Sequence, residues 1–284
     1  MSDRQFFTLA TEHFTIEGRS RAGHETWFRL RELGLALDIG RCPDELIHLP
    51  HIFVSHVHLD HSAGVPFYAG QRRLQRLALG RVYVPEESAA DMRALMALHE
   101  RMEGTDYEVE IVGVAENQVV PVGRNHRVRG HRATHRVAAR AWEVIETRHH
   151  LKKEYEGLEG QQLALLRRDG VAVSDEVEHP VLFYTGDTDR GILEQNEALF
   201  RAPVLMIECS FVIDGHQERA AAYRHIHFDD LAEFAGRFEN ELIVLTHFSR
   251  RYSHGEIQSE IRRRCPAVLR DRIRLALPEP FVKL

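Results

Sequence analysis

Four residues whose side chains commonly bind metal ions occur in the segment FVSHVHLDHSAG, residues 53–64: His56, His58, Asp60 and His61. Alternate residues at a strand end share one face, so the imidazoles of His56 and His58 can converge on one ion. Asp60 and His61 follow the turn and can reach a second ion about 3.5–4 Å away, the usual separation in two-metal hydrolytic sites. A polar helix cap would explain Asp60 but not the H-x-H-x-D-H spacing. These nitrogen and carboxylate ligands favour zinc, with manganese or iron as alternatives.

One short motif cannot complete two coordination spheres, so we expect further ligands at the ends of later strands. The segment GHRATHRVAARAWEV offers His131 or His135, LFYTGDTDR offers Asp187, and LIVLTHFSRRY offers His247. A lone histidine after a strand is more often a hydrogen-bonded structural residue. The combination is more informative, because a carboxylate at the end of an apolar strand can bridge two ions.

The elements that must position these side chains alternate between strands and helices. WFRLRELGLALDIG predicts a hairpin with its turn near residues 32–34 and a following strand over 35–39. HSAGVPFYAGQRRLQRLAL predicts a helix stopped at Gly80, and EESAADMRALMALHERM, DDLAEFAGRF and SHGEIQSEIRRRC predict three more. Strands are predicted at HIFVSH, RVYVP, EVEIVGV, VRGHRATH, RAWEVIET, PVLFYTGDT and ELIVLTHFS. Helices that flank strands in both halves of the chain indicate a layered α/β sandwich.

Composition excludes several classes of protein. The 284 residues suffice for one sizeable core, and 43% hydrophobic with 28% charged residues is ordinary for a soluble enzyme. No apolar run approaches the roughly 18 residues of a membrane span, and the first residues lack the apolar region of a secretory signal. Three cysteines with no CxxC spacing predict reduced thiols in a cytoplasmic protein. The net charge of −6 argues against a surface generally coated with nucleic acid.

The H-x-H-x-D-H motif, the later histidine, the Gly-Asp pair and the final Thr-His together resemble the metallo-β-lactamase superfamily. Within it, the chain is similar to the short, single-unit form of tRNase Z, the endonuclease that removes the 3′ trailer of precursor tRNA. The likeness runs from about Gly23 to Tyr252 and is carried by GHETWF, LDIGRCP, FVSHVHLDHSAGVPFY, LKKEYEGL, YTGDTD, IECSF and HIHFDDLAEFAGRFENELIVLTHFSRRY.

This resemblance implies one α/β domain over residues 1–284, with two similar halves at roughly 1–120 and 121–284. The fold would be a four-layered αββα sandwich, in which two mixed sheets pack face to face with helices outside. The resemblance further implies a cytoplasmic enzyme that acts on precursor tRNA and does not bind a membrane. It also implies that the protein can pair as a homodimer.

The resemblance also implies a ligand set for two zinc ions. One ion would be held by His56, His58 and His135, the other by Asp60, His61 and His247, with Asp187 bridging. His135 is preferred over His131 because THRVAARAW matches the His-Arg-Val run of the family. Asp38, in LDIG, lies where the superfamily keeps a carboxylate that orients ligand histidines. From the sequence alone, a turn residue capping DIGRCP is an equal alternative for Asp38.

The implied reaction is hydrolysis of a phosphodiester by a hydroxide ion that the two cations generate from water. The oxygen that leaves needs a proton, and the resemblance assigns its delivery to Glu208 in IECSF and His225 in RHIHFDDL, which join Asp60 in the catalytic set. A carboxylate bound to an imidazole holds its tautomer and raises its basicity. His227 is the rival donor; His225 is preferred because its 22-residue separation from His247 fits the family spacing.

Substrate-binding residues are not identified by the sequence. Nine Lys or Arg and only two acidic residues lie between positions 124 and 153. Arg72, Arg73, Arg76 and Arg81 form a second basic cluster, and either cluster is a candidate for contacts with an RNA backbone. Solvated surface arginines are the alternative. Phe67 and Tyr68 are candidates for stacking a base, although a place in the core is expected for both.

One departure from the family pattern leaves the substrate open. Many tRNase Z proteins carry a protruding arm with a Gly-Pro signature that clamps tRNA, and the matching segment LKKEYEGLEGQQLALLRRDGVAVSDEVEHP has no Gly-Pro. Either tRNA is held differently or the substrate is another phosphodiester. A hydrolase of a lactone, thioester or β-lactam on the same scaffold and a catalytically silent, metal-stabilised binding module are the other hypotheses.

Overall fold

Two seven-stranded β-sheets form the centre of the protein in the computed structural model, which describes residues 6–277. The first sheet contains, in hydrogen-bonded order, β1 (Phe7–Ala10), β2 (Thr15–Arg21), β3 (Glu25–Leu30), β4 (Leu35–Ile39), β5 (His51–Phe53), β6 (Gly80–Pro85) and β7 (Val109–Val114). The second contains β8 (Val119–Val122), β9 (His126–Ala133), β10 (Ala139–Leu151), β11 (Ser174–Tyr184), β12 (Val204–Glu208), β13 (Leu242–Thr246) and β14 (Ile273–Leu275), also in chain order.

Both sheets are mixed in the same way. In each, the first four strands pair antiparallel and the last four pair parallel, so that β4–β7 and β11–β14 are the parallel parts. Parallel neighbours need crossover connections, and these are mostly helical. The helices are α1 (Asp44–Ile47), α2 (Leu59–Ser62), α3 (Val65–Leu74), α4 (Glu86–Glu103), α5 (Gly160–Arg168), α6 (Gly191–Gln195), α7 (Ala198–Arg201), α8 (Gln217–Tyr223), α9 (Phe228–Glu233) and α10 (His254–Arg264). Short 3₁₀ turns cover Arg31–Leu33, Lys153–Tyr155 and Ala235–Arg237.

Three apolar clusters define four layers. One cluster lies between the sheets, where the rings of Phe53 and Trp142 meet edge to face at 5.3 Å. A second lies between the first sheet and α1, α3 and α4, and a third between the second sheet and α6–α10. Each sheet thus buries both faces, as α/β layers require. The predicted αββα sandwich with two mixed sheets is confirmed.

The structure corrects one predicted helix and adds strands that were not predicted. The single helix expected over HSAGVPFYAGQRRLQRLAL is two helices, α2 and α3, and α3 ends well before Gly80. The break lies at Gly64, which packs so closely on the carbonyl of Ile39 that a Cβ there would clash. The strand β12, with the sequence VLMIE, was not predicted, because so short an apolar run is ambiguous between strand and helix.

The parallel strands of both sheets end at one common edge. The loop after β5 reaches the second sheet there: His56 forms an isolated bridge with Ala139, and the Arg140 N–H donates to the Ser55 carbonyl at 2.8 Å. Loops after β11, β12 and β13 open at the same edge, as expected for ligand sites at the carboxyl ends of parallel strands. The segments that carry the candidate metal ligands therefore meet at this edge.

Candidate metal centre

The first group of ligand-type atoms comes from the loop after β5 and the turn between β9 and β10. The Nε2 atom of His56 lies 3.0 Å from Nδ1 of His58, and Nε2 of His135 lies 3.3 Å from the same Nδ1. His56 is fully buried, whereas His58 and His135 are half-buried and face the open edge. Three imidazole nitrogens thus converge on one point.

The second group joins α2 to the end of β13. The Nε2 atoms of His61 and His247 are 3.3 Å apart, and Oδ2 of Asp60 lies 3.6 Å from the first and 3.5 Å from the second. His247 adopts a left-handed backbone conformation, with φ of 58°, which is costly for a residue other than glycine and is held here by surrounding contacts. Its N–H donates to Ser20 Oγ at 3.0 Å.

Asp187 lies between the two groups. Its Oδ2 is 3.7 Å from Nε2 of His56 and 3.4 Å from Nε2 of His247, and its Oδ1 is 3.4 Å from Nε2 of His61. The carboxylate is buried, and Oδ1 has no hydrogen-bond partner. Gly186 before it has φ of +58° and would clash with the Ser55 side chain if it carried a Cβ, which explains the glycine of the TGD motif.

The spacing of these atoms fits bound metal ions. Ligands 2.0–2.1 Å from a tetrahedral cation are separated from one another by about 3.4 Å. The distances within each group, 3.0–3.3 Å in the first and 3.3–3.6 Å in the second, are close to that value. The unpaired oxygen of Asp187 is also what a cation would satisfy. The residues present therefore fit two adjacent metal ions.

Asp38 is a fully buried carboxylate behind the second group. It accepts hydrogen bonds from the N–H and hydroxyl of Ser55 at 2.6 and 2.9 Å, from Nδ1 of His61 at 2.7 Å and from the Tyr184 hydroxyl at 2.6 Å. It occupies a β-bulge of β4 with φ of 58°. The contact with Nδ1 turns Nε2 of His61 toward Asp187, and the contact with Tyr184 joins the two sheets beside the site.

Other ring nitrogens are fixed in the same manner. Nδ1 of His56 contacts Ser55 Oγ at 3.1 Å, Nδ1 of His247 contacts Ser210 Oγ at 3.0 Å, and Nδ1 of His135 contacts the Arg224 carbonyl at 3.1 Å. Partners of this kind hold a histidine in the tautomer that presents its other nitrogen to a metal.

Asp60 is oriented by the turn between β2 and β3. The N–H of Gly23 donates to its Oδ2 at 2.7 Å, and Gly23 has φ of +65°, a conformation that suits glycine. The GHET segment therefore has a local role at this site, which the sequence did not indicate.

Glu208 and His225 form a buried pair beside the two groups. Oε1 of Glu208 lies 2.7 Å from Nδ1 of His225 and accepts the Thr188 N–H at 2.8 Å, while Oε2 accepts the Ser210 hydroxyl at 2.7 Å. The His225 ring lies 5.2 Å from that of His135, centroid to centroid. Glu208 thus connects His225 with the ring of His247 through Ser210.

His227 has a different position. Its Nδ1 accepts the Asp229 N–H at 3.1 Å and its Nε2 donates to the Ile213 carbonyl at 3.0 Å, so it caps α9. His131, the other histidine weighed against a site residue, lies on β9 with Nε2 2.8 Å from Oε2 of Glu143. Neither histidine belongs to the groups of converging ligand atoms.

Burial and charge shift the pKa values within the centre. Burial alone would raise the pKa of Asp187, but His247, His61 and His56 hold it below its usual range. Burial would lower the pKa of His61, yet Asp187 and Asp38 raise it to about 10. Burial would lower the pKa of His225, but the neighbouring carboxylate of Glu208 outweighs burial and raises that pKa to about 9. The lowered pKa values of Asp60 and Asp187 keep these two carboxylates anionic, so the centre attracts cations.

Comparisons with known proteins identify the family. A profile described as "Beta-lactamase superfamily domain" matches residues 26–248. The tRNase Z TRZ1 of Arabidopsis thaliana is 33% identical over 256 residues, which cover 89% of this chain and 91% of that protein. The chain belongs to the tRNase Z family of the metallo-β-lactamase superfamily. The chloroplastic tRNase Z TRZ2 of the same plant is 32% identical over 253 residues, 88% of this chain and 72% of its own.

The fold agrees with this tRNase Z membership. The crystal structure of human tRNase Z, short form, matches with a TM-score of 0.59 at 18% identity, covering 82% of this chain and 92% of that one. The chain is thus a metal-dependent hydrolase of this superfamily, whose fold implies divalent-metal binding. Within residues 6–277, no helix is both long and apolar enough to span a membrane.

Many residues of the two predicted basic clusters are paired within the protein, and contact of either cluster with phosphate stays a prediction. Arg72 is buried and donates to the carbonyls of Ile47, Leu49 and Ala78. The other arginines of the two clusters that form ion pairs are Arg73 with Glu108, Arg81 with Glu110, Arg127 with Glu176, Arg129 with Glu143, Arg140 with Glu87 and Arg148 with Glu146. Part of this pairing comes from carboxylates outside the counted segments, such as Glu176 and Glu87, which a local count of charges does not include.

A different set of arginines borders the centre without such partners. No carboxylate of residues 6–277 forms an ion pair with Arg21, Arg250 or Arg251. Burial and the positive charges of Arg19, Arg250 and Arg41 lower the pKa of Arg21, so these groups form one positive region. The RRY of THFSRRY was the available sequence signal for two of them.

The segment without Gly-Pro nevertheless forms a projecting arm. β10 and β11 stay paired out to Leu151 and Ser174, beyond the last pairing of β9 at Glu146. This two-stranded ribbon carries α5, which has no buried residue, at its tip. The absence of the signature therefore did not mean the absence of an arm.

The two aromatic residues considered for stacking lie in different environments in the structure. Tyr68 is fully buried and donates to the Leu49 carbonyl at 2.6 Å, as expected for a core residue. Phe67 is 51% exposed and lines a cavity between α3 and α4, so its expected core position is wrong. Helical periodicity placed both on one helix but could not say which face the sheet covers.

Proposed function

We propose that the protein is a zinc-dependent endoribonuclease that removes the 3′ trailer of precursor tRNA. The observation that carries the proposal is the convergence of seven ligand-type side chains from both sheets, at metal-ligand spacing, beside a carboxylate–imidazole pair. The names of the related plant proteins, tRNase Z, support RNA as the substrate class.

We assign the seven side chains to two zinc ions. His56, His58 and His135 would hold the first ion and Asp60, His61 and His247 the second, with Asp187 as a ligand shared by both. The Nδ1 atoms of these histidines other than His58 are held by hydrogen bonds, which fix the orientation of each imidazole. The partners are Asp38, Ser55, Ser210 and the Arg224 carbonyl. When bound, the two ions supply a water of lowered pKa and neutralise the phosphoryl oxygens as negative charge builds there.

The Glu208–His225 pair delivers the proton that the leaving group needs. Because Nδ1 of His225 binds Oε1 of Glu208 at 2.7 Å, Nε2 is the nitrogen available to substrate. In-line attack by water on phosphorus breaks the bond to the 3′ oxygen of the upstream nucleotide, and Nε2–H protonates that oxygen. The products are a tRNA ending in a 3′ hydroxyl and a trailer beginning with a 5′ phosphate.

The positive region around Arg21, Arg250 and Arg251 is the proposed contact for the RNA backbone near the scissile bond. Arginines without carboxylate partners favour phosphate, and the contact holds an RNA chain regardless of sequence. The ribbon of β10 and β11 would contact the body of the tRNA farther from the reaction.

The proposal is tested by incubating the purified protein with a 3′-extended precursor tRNA, with and without a chelator. We expect cleavage at the tRNA–trailer junction, its loss with chelator and its return with added zinc. Asp214→Ala, at an exposed carboxylate far along the chain from the ligands, is the matched control and should cleave like the wild type.

A parallel assay separates the proposed reaction from the carbonyl hydrolases of the same scaffold. Cleavage of bis(p-nitrophenyl) phosphate but not of a lactone or thioester is expected. Rapid turnover of a lactone together with an intact precursor tRNA would reject the nuclease assignment. A zinc-loaded protein inert toward both substrates would favour a silent binding module.

A further inference from the structure

A cavity of about 450 Å³ adjoins the metal centre on the side of His225. It is lined by Gly23, whose N–H binds Asp60, and by His225, Tyr223 and the neighbouring arginines Arg250 and Arg251. Its volume lies within the range of small-molecule pockets, which includes a nucleotide. The cavity therefore combines the proton donor, positive charge and one aromatic ring.

Tyr223 lies at an ordered helix end, although 42% of the residue is exposed. It is the last residue of α8, and Arg224 after it adopts a left-handed conformation with φ of 56°. The N–H groups of Arg224 and His225 bind the carbonyls of Ala221 and Ala220 at 3.1 and 3.0 Å. One helix end thus sets the backbone positions of Tyr223 and His225 relative to each other.

Arg136 supports this ring from the opposite side. Its guanidinium carbon lies 4.8 Å from the Tyr223 ring centroid, and its Nη2 donates to the Ala222 carbonyl at 3.1 Å. Arg136 lines the neighbouring cavity with His135 and Arg224, not the one that Tyr223 lines. The ring is therefore backed by a cation on one side and open to the His225 cavity on the other.

The chemistry of the reaction decides which nucleotide occupies that cavity. His225 protonates the 3′ oxygen of the nucleotide that stays with the tRNA, so that nucleotide must lie on the His225 side of the scissile phosphate. An exposed, preordered aromatic ring in the same cavity is suited to stack a base of any identity. The trailer must leave on the other side of the centre.

Resting on the proposed function, we propose that Tyr223, backed by Arg136, stacks the base of the last nucleotide retained by the tRNA. In the same cavity, Arg250 and Arg251 contact the phosphate on the 5′ side of that nucleotide. We call Tyr223 and Arg136 together the stacking platform. This platform selects a position along the RNA but accepts any base there, because stacking uses the face of the base rather than its edges.

The test compares three precursor tRNAs: an intact one, one abasic at the last retained nucleotide, and one abasic at the first trailer nucleotide. We expect Tyr223→Ala to lower kcat/KM for the intact RNA about tenfold, the size of one lost stacking contact. The Tyr223→Ala variant should cleave the intact RNA and the RNA that lacks the retained base at the same reduced rate. Wild type should discriminate between these two RNAs about tenfold, and the trailer abasic site should affect both proteins equally.

Three further proteins complete the design. Tyr223→Phe keeps the ring and should keep the discrimination, while Arg136→Ala should weaken it with unchanged zinc content. Phe67→Ala, at an exposed ring in another cavity, is the control and should discriminate like the wild type.

The inference is overturned if Tyr223→Ala still discriminates against the missing retained base, or if it loses discrimination at the trailer position instead. Failure of the wild type to cleave any of the three RNAs would reject the proposed function, and this inference with it. If the wild type cleaves all three RNAs at equal rates, the proposed function is supported and the stacking platform alone is rejected.

Discussion

The Nε2 atoms of His61 and His247 lie 3.3 Å apart although 186 positions separate the residues in sequence. His61 lies in α2, in the connection that follows β5 of the first sheet, and His247 follows β13 of the second sheet. Tyr184 joins the same sheets nearby, through its hydroxyl bond to Asp38 at 2.6 Å. The centre therefore exists only when the two sheets are packed together, and metal binding and folding must be coupled.

Asp187→Ala should reduce turnover of precursor tRNA by at least about a hundredfold and lower the bound zinc. Among residues 6–277, Asp187 is the one carboxylate within 4 Å of histidine nitrogens of both groups, so its loss weakens both sites. Steady-state kinetics and elemental analysis of the purified variant check this. Near-normal activity with two zinc ions bound would overturn the bridging assignment; Asp214→Ala serves as control.

His225→Ala should lower kcat by about 10²- to 10⁴-fold with unchanged zinc content, as expected for loss of a general acid. The reason is that His225 is the imidazole paired with Glu208. Single-turnover cleavage separates this chemical defect from weaker RNA binding.

His227→Ala is the matched comparison for His225→Ala. Because His227 caps α9, we expect it to lower the free energy of unfolding by about 0.5–2 kcal/mol while the chemical step stays near the wild-type rate. Loss of the chemical step in His227→Ala, with His225→Ala active, would reverse the assignment of the proton donor.

Asp38→Asn should lower zinc affinity about 10- to 100-fold, the usual effect of removing a partner behind a metal ligand. The amide keeps the size of the carboxylate but offers only one acceptor oxygen to four donors, those of Ser55, His61 and Tyr184. Competition with a chromophoric chelator measures the affinity. An unchanged affinity would show that the Nδ1 bond to His61 does not support the ligand.

Removal of zinc should lower the thermal midpoint by about 5 °C when the metal had been present at 100 times its dissociation constant. The stabilisation should shrink as the pH falls, because ligands must lose protons to bind metal and His61, with its pKa raised to about 10, carries one in the metal-free site. Calorimetry at several pH values tests this. Equal midpoints with and without zinc at every pH would contradict the coupling.

Replacing residues 152–173 by a two-residue Asn-Gly turn should remove the tip of the ribbon while β10 and β11 stay paired. We expect KM for precursor tRNA to rise about tenfold or more and hydrolysis of bis(p-nitrophenyl) phosphate to stay unchanged. Equal activity on both substrates would show that the ribbon takes no part in holding tRNA.

Prediction from the sequence worked where the signal was local and failed where it depended on distant residues. The H-x-H-x-D-H run and the strand-end TGD and TH segments are local, and the structure brings all of these side chains together. The charge of Arg129 is balanced in part by an ion pair with Glu178, which lies 49 positions away on β11 of the same sheet. The role of Gly23 likewise depends on Asp60, 37 positions away. Such partners follow from register and sheet packing, which periodicity does not report.

The central claim is that seven side chains hold two adjacent zinc ions, and anomalous X-ray scattering at the zinc absorption edge tests it most directly. In crystals of the zinc-loaded protein we expect two peaks about 3.5–4 Å apart, one among His56, His58 and His135 and one among Asp60, His61 and His247, with Asp187 between them. Anomalous density absent from these positions in fully loaded crystals, or a zinc ion bound elsewhere, would contradict the account.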